Sequence, residues 1–184
     1  KKELSAEERH ALALEVWDSG VHEAKIFAGF LDDPKLVTEK QMEKWAIDFD
    51  SWDVVDMVCG NLFDRTEFAY KKAVEWSGRK EEFVKRAGFV LMATLSVHDK
   101  KTEDKPFENF YEIIKTEAHD ERNFVKKAIN WALRQIGKSR NANLYNQALH
   151  LSKVLYESDN KAERWVGSDA YRELTKDYIA KRFR

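Results

Sequence analysis

Three aspartates recur at every third position of the segment FDSWDVVDMVCGNLF, residues 49–63, and their spacing raises the question of chemistry. If the segment is a helix that starts near residue 51, Asp50 and Asp53 fall at its beginning, where the helix dipole favours carboxylates. Asp56 differs because Trp52 and other apolar or small residues lie three and four positions away from it. Asp56 therefore lies on the seam between an acidic stripe and an apolar one. Such a half-buried carboxylate is either the ion-pair partner of a neighbouring helix or a functional group, and the residues alone leave both open.

Helix-start signals and residue spacing predict that this segment is one helix among many. The motifs SAEE (5–8) and TEKQ (38–41) are typical of capping boxes, in which a hydroxyl-bearing residue is followed three positions later by Glu or Gln. Seven glycines and two prolines leave little turn chemistry for hairpins. Two mostly apolar stripes at helical spacing are Phe83, Ala87, Val90, Leu91 and Leu95, and then Phe124, Ala128, Trp131, Ala132 and Gln135. We predict an all-α protein of about ten helices without strands.

The helices are expected to form pairs. The motif KKAVEW (71–76) is echoed by KKAINW (126–131), and several units run over roughly 35–55 residues. This self-similarity predicts one domain over residues 1–184, an α-solenoid of stacked antiparallel helix pairs that resembles HEAT repeats. One short echo does not exclude a plain helical bundle.

Composition narrows the class of protein. Charged residues make up 35% of the chain and aromatic residues 12%, a pairing that argues against disorder, and 184 residues are enough to bury a core. No run of 18 apolar residues is present, so we expect no contact with a membrane. The opening KKELSAEERH lacks the apolar core of a signal peptide, and a single cysteine fits a reducing compartment, so we expect a cytoplasmic protein.

The net charge of −1 does not by itself indicate nucleic-acid binding. Its distribution is more informative, because acidic residues concentrate in 32–67 while 79–86, 126–140 and 180–184 are basic. A basic inner surface with acidic outer faces would still attract phosphate.

The remaining reactive side chains form no recognisable motif. The histidines, which are His10, His22, His98, His119 and His150, have no paired spacing, so no metal site is expected. Cys59 has no histidine near it in sequence and is interpreted as a buried structural thiol. We assign Trp17, Trp45 and Trp76 to the core.

Three blocks of the sequence resemble the bacterial DNA alkylation repair family, the AlkD-like DNA glycosylases, which are HEAT-like helical solenoids. The blocks are VHEAKIFAGFLDDPKLVTEKQMEKWAIDFDSWDVVDMVCGNLF, EEFVKRAGFVLMATLSVHDK and FVKKAINWALRQIGK. The resemblance spans roughly residues 15–160, and the order and spacing of the blocks are more specific than any one block. The sequence begins within a pattern, so we expect that a few N-terminal residues of the family are missing from it.

The resemblance assigns roles to five residues. The family motif Trp-Asp-x-x-Asp, whose second acid is catalytic, matches WDVVD and gives Trp52 and Asp56. An arginine at the start of a later helix matches Arg86 in VKRAGF, which is expected to clamp a DNA phosphate. The pattern KAIxWxLR matches KAINWALR and gives Trp131 and Arg134 as DNA-binding residues.

The implied activity is removal of cationic alkylated purines, such as N3-methyladenine and N7-methylguanine, from double-stranded DNA. Asp56 would stabilise the oxocarbenium-like sugar and position the attacking water. No cofactor or metal is implied, and we expect a monomer. The alternative is a non-catalytic HEAT-like scaffold that binds DNA or a protein, since a motif can persist for structural reasons.

Overall fold

The computed structural model describes residues 4–183, and all regular structure within this range is helical. The α-helices are α1 Ala6–Asp18, α2 His22–Leu31, α3 Glu39–Ile47, α4 Trp52–Asn61, α5 Ala69–Ser77, α6 Glu82–His98, α7 Lys105–Glu117, α8 Asn123–Ser139, α9 Ala142–Tyr156, α10 Lys161–Leu174 and α11 Asp177–Ala180. A short 3₁₀ turn, Phe63–Arg65, follows α4. The prediction of an all-α chain is confirmed. No helix of this range is both long and apolar enough to cross a bilayer.

The two predicted capping boxes form to different extents. Ser5 accepts from the backbone N–H of Glu8 at 3.1 Å, and the Glu8 carboxylate accepts from the Ser5 N–H at 2.7 Å, so the first box is complete. Thr38 accepts from the backbone N–H of Gln41, but the Gln41 amide donates instead to Asp32, 2.6 Å away. The second box is therefore only half formed, because a buried carboxylate competes for the glutamine.

The helices form two layers. In the inner layer each helix packs against the next, in the order α2, α4, α6, α8 and α10. In the outer layer α5 packs against α7 and α7 against α9. Trp17 of α1 stacks on Trp45 of α3 with ring centroids 4.0 Å apart, and Lys72 of α5 pairs with Glu39 of α3. Trp17, Trp45 and Trp76 are buried, as predicted.

Helix α6 lies at the centre of the molecule. Every residue from 84 to 96 is buried, which is expected of a helix surrounded by others rather than of one with a solvent face. Gly88 is required by this packing, because a Cβ atom there would lie 2.4 Å from the backbone nitrogen of Ser77 in α5. Lys85 and Arg86 are also buried in α6, and buried charges require partners.

The sequence echo does not mark the structural repeat. KKAVEW lies in α5 of the outer layer, where Trp76 is fully buried, whereas KKAINW lies in α8 of the inner layer. Trp131 is only partly buried there. The two motifs therefore occupy different positions in their helix pairs, and their likeness reflects a shared amphipathic pattern.

Candidate active site

The inner helices α4, α6 and α8 form the walls of a cleft of about 550 Å³. All five residues that the sequence singled out lie in it, together with two more. The lining residues are Trp52, Asp56, Arg86, Phe124, Lys127, Trp131 and Arg134. A separate groove of about 430 Å³ between α7 and α9 contains none of them. The tertiary structure thus brings together residues that are up to 82 positions apart, from Trp52 to Arg134.

An ion pair between Asp56 and Arg86 forms the floor of the cleft. The Nε atom of Arg86 donates to Oδ1 of Asp56 at 3.0 Å, and Nη2 donates to Oδ2 at 2.8 Å. The Nη1 atom donates to the backbone carbonyl of Phe124 at 2.7 Å. The Asp56 side chain is 19% exposed and that of Arg86 only 7%. Both side chains are therefore fixed, but the carboxylate still opens to the cleft.

The surroundings of Asp56 favour its neutral form more than water does. Burial raises the pKa of the Asp56 carboxyl above its usual range, while the hydrogen bonds and the charge of Arg86 act in the opposite direction. The neighbouring Asp53 carboxylate adds a smaller upward effect. Asp56 is thus a partly desolvated carboxylate that is held charged mainly by one arginine.

The other two aspartates lie at or just before the start of α4, as predicted, and both pair with side chains of α2. Asp50 pairs with Lys25 of α2 at 3.3 Å. Asp53 lies 2.8 Å from Nε2 of His22 and accepts from the Ser51 hydroxyl. Burial opposes the ionisation of Asp53, but these hydrogen bonds lower its pKa overall. Only Asp56 of the three aspartates lines the cleft.

Aromatic side chains from two helices line the cleft. The Trp52 side chain at the start of α4 is 50% exposed. On α8, Phe124 and Trp131 are partly buried and lie seven residues apart on one face, together with Lys127 and Arg134. The apolar stripe predicted from the spacing includes Phe124 and Trp131, and the structure places both at the partly buried edge of that stripe, on the cleft. The buried stripe is Val125, Ala128, Ile129, Ala132, Leu133 and Ile136.

Arg134 is engaged by acidic side chains of α10. Its Nη1 atom donates to Glu173, and its Nε atom lies 3.9 Å from Asp169. Glu173 also accepts from Lys138. Burial opposes the ionisation of Glu173, but the hydrogen bonds of Lys138 and Arg134 lower its pKa overall, so this cluster is held together by charge.

Phe124 and Lys127 are cleft residues that the sequence analysis did not identify as a site. The signal was present, because both fall on the helical face of Trp131, at seven and four positions before it. Cys59 is buried, and burial raises its pKa well above the usual range, in agreement with a structural thiol. Among residues 4–183 no group of three or more His, Cys, Asp or Glu side chains could hold a metal ion.

Paired helices in two layers, with a charged and aromatic cleft on the inner layer, define a HEAT-like repeat protein. The protein-family model described as DNA alkylation repair enzyme matches residues 1–174 of this chain. The chain therefore belongs to the DNA alkylation repair enzyme family, as the sequence blocks indicated.

A solved structure agrees with this fold. It is described as a new family of proteins related to the HEAT-like repeat DNA glycosylases with affinity for branched DNA structures. The TM-score is 0.71 at 22% sequence identity, over 89% of this chain and 74% of the other. The predicted HEAT-like solenoid is confirmed. No curated protein matches the chain.

Proposed function

We propose that this protein is a DNA glycosylase that removes cationic alkylated purines, with Asp56 as the catalytic carboxylate. The observation that carries the proposal is the position of Asp56, which is held by Arg86 and lines the cleft together with Trp52 of α4 and Trp131 of α8. Membership of the DNA alkylation repair enzyme family supports the same class of reaction.

The chemistry suits a site with one carboxylate and no general acid. A purine that is alkylated at N3 or N7 already carries a positive charge, so it can leave the sugar without protonation. Positive charge then develops on the deoxyribose, and a carboxylate that faces the sugar stabilises it. The exposed edge of Asp56 can also accept a hydrogen bond from the attacking water. Trp52 and Trp131 offer electron-rich ring faces to the cationic sugar or base.

The ion pair limits how much Asp56 can contribute. A carboxylate about 4 Å from the sugar cation gains about 4 kcal/mol at an effective dielectric constant near 20. The Arg86 guanidinium lies behind the carboxylate, and at about 8 Å from the sugar it would repel the same cation by about 2 kcal/mol. The net stabilisation is about 2 kcal/mol, which corresponds to roughly a thirtyfold rate enhancement.

Arg86 has a different role in this proposal from the phosphate clamp that the resemblance implied. Its Nε, Nη1 and Nη2 atoms already donate to Asp56 and to the Phe124 carbonyl, and the side chain is nearly buried. Arg86 is therefore a positioning residue, which holds the carboxylate charged and oriented toward the cleft.

Base release from methylated DNA tests the proposal. The protein is expected to liberate N7-methylguanine or N3-methyladenine from methylated duplex DNA, as measured by chromatography of the released bases. Asp56→Asn should lower the rate at least about thirtyfold while salt-sensitive DNA binding and the circular dichroism spectrum persist. Asp53→Asn is the matched control, because Asp53 lies one turn earlier and bonds to His22 instead of lining the cleft. Equal rates for the wild type and Asp56→Asn would refute the catalytic role of Asp56.

A second candidate is a protein that binds DNA without base release. The observation that favours it is the same ion pair, because a carboxylate neutralised by Arg86 contributes less to catalysis than a free one. The structural neighbour is described as having affinity for branched DNA structures. Preferential binding of an unmethylated four-way junction over a linear duplex, with no release of methylated bases, would support this candidate over the glycosylase.

A further inference from the structure

The cleft contains three cationic side chains, and two of them are held by hydrogen bonds and ion pairs within the protein. Arg86 donates to Asp56 and Phe124, and Arg134 is held by Glu173 and Asp169 of α10. Their charges are therefore largely neutralised by neighbouring carboxylates. Since the whole chain has a net charge of −1, any attraction to DNA must come from cations that remain free on the binding face.

Lys127 is the third cation, and it is not held in this way. Its side chain is exposed, and it makes no hydrogen bond or ion pair with any other residue of the range 4–183. The adjacent Lys126 differs, because its Nζ atom lies 5.1 Å from the ring centroid of Trp165 in α10. Lys127 thus points into the cleft while its sequence neighbour turns toward α10.

The position of Lys127 on α8 fits the geometry of a bound nucleotide. It lies one turn after Phe124 and one turn before Trp131, on the face that lines the cleft. The phosphates of a nucleotide whose sugar lies against these rings flank that sugar. A flexible lysine with a compact ammonium group can reach such a phosphate without a fixed hydrogen-bonding geometry.

We infer that Lys127 is the phosphate-binding cation of the cleft, in place of Arg86 and Arg134. Its ammonium group contacts a phosphodiester that flanks the target nucleotide. This contact holds the strand against the two tryptophans of the cleft, Trp52 and Trp131. The inference depends on the proposed binding of DNA in this cleft, but not on base release.

Salt-dependent DNA binding tests this assignment. The dissociation constant of an unmethylated duplex is measured by fluorescence anisotropy over a series of chloride concentrations for the wild type, Lys127→Gln and Lys126→Gln. One lost phosphate contact reduces the slope of log affinity against log salt concentration by about 0.9. We expect that reduction for Lys127→Gln and less than half of it for Lys126→Gln, which loses the same formal charge one residue away.

The outcomes separate this inference from the proposed function. A slope unchanged in Lys127→Gln, or reduced equally in both variants, would overturn the role of Lys127 even if the wild type releases bases. A protein that shows the expected difference in slope but releases no base would keep Lys127 as the phosphate contact and refute the glycosylase. Circular dichroism checks that both variants are folded, which is expected because Lys127 is exposed.

Discussion

Replacing Arg86 by methionine should destabilise the protein by leaving the Asp56 carboxylate half-buried without a partner. Methionine retains most of the apolar stem but removes the donors to Asp56 and to the Phe124 carbonyl. Breaking a buried ion pair from one side costs about 3–5 kcal/mol of unfolding free energy. Since Asp56 is 19% exposed to the cleft, we expect the lower end, about 3 kcal/mol. For a chain of this size that corresponds to roughly 6–12 °C in melting temperature.

The assay is urea unfolding followed by far-ultraviolet circular dichroism, for the wild type, Arg86→Met, Asp56→Leu and the double variant. If the cost comes from an unpaired carboxylate, removing both charges should recover about 2 kcal/mol relative to Arg86→Met alone. The cost should also depend on pH. Without Arg86, the pKa of Asp56 in the folded state rises further above its unfolded value, so the folded state binds the proton more tightly. The stability of Arg86→Met should therefore fall as the pH rises through the folded pKa, and its deficit should shrink in acid.

Two results would refute this reasoning. One is a double variant whose loss of stability equals the sum of the two single losses, because that would mean the charges act independently. The other is a stability deficit of Arg86→Met that stays constant in acid. Either would show that Arg86 stabilises the fold by means other than its pairing with the Asp56 charge.

Two further predictions concern the pH profile and the packing of α6. Base release should decline as the pH falls through the pKa of Asp56. Because burial raises that pKa, the decline should begin at a higher pH than for an exposed aspartate. The pH dependence is measured from initial rates between about pH 4 and about pH 8, corrected for spontaneous depurination. Gly88→Ala should destabilise the fold by about 2 kcal/mol, because the new Cβ atom would lie 2.4 Å from the backbone of Ser77. Gly78→Ala is the control: its Cβ atom would have no atom within 4 Å, so stability should change by less than about 0.5 kcal/mol. Similar urea midpoints for the two variants would contradict this packing.

The sequence was most informative where a residue conflicted with its own helical neighbours. Asp56 stood out because a carboxylate on the apolar seam of a helix needs a compensating partner, and the structure supplies Arg86. The place of Asp50 and Asp53 at a helix start was also predicted, but their partners Lys25 and His22 belong to α2 and were not. The position of each aspartate on its own helix follows from helical spacing alone.

Partners that belong to other helices could not be predicted from helical spacing. The carbonyl that fixes Arg86 belongs to Phe124, and their proximity depends on how α6 packs against α8. Glu173 likewise reaches Arg134 only through the packing of α10 against α8. No spacing along the chain encodes these contacts, so the roles expected for the two arginines took no account of their carboxylate partners.

The edge of α8 that faces the cleft could not be identified from helical spacing, for a related reason. This helix contacts α6, α9 and α10, so its buried arc is wide and apolar residues occur on both edges of it. Periodicity identifies such an arc but not which edge is left open. Phe124 and Trp131 lie on the open edge, and only the neighbouring helices reveal it.

The guanidinium of Arg86, which belongs to α6, contacts a side chain of α4 and a backbone carbonyl of α8. In a stacked array each unit meets only its neighbours, so small rotations between units add up to a change in the curvature of the whole molecule. A bend that separates α4 from α8 must break one side of the Arg86 bridge. The bridge therefore couples the orientation of Asp56 to the curvature of the array, and a substitution at a distant inter-helix contact can change the chemistry of the cleft without touching any residue in it.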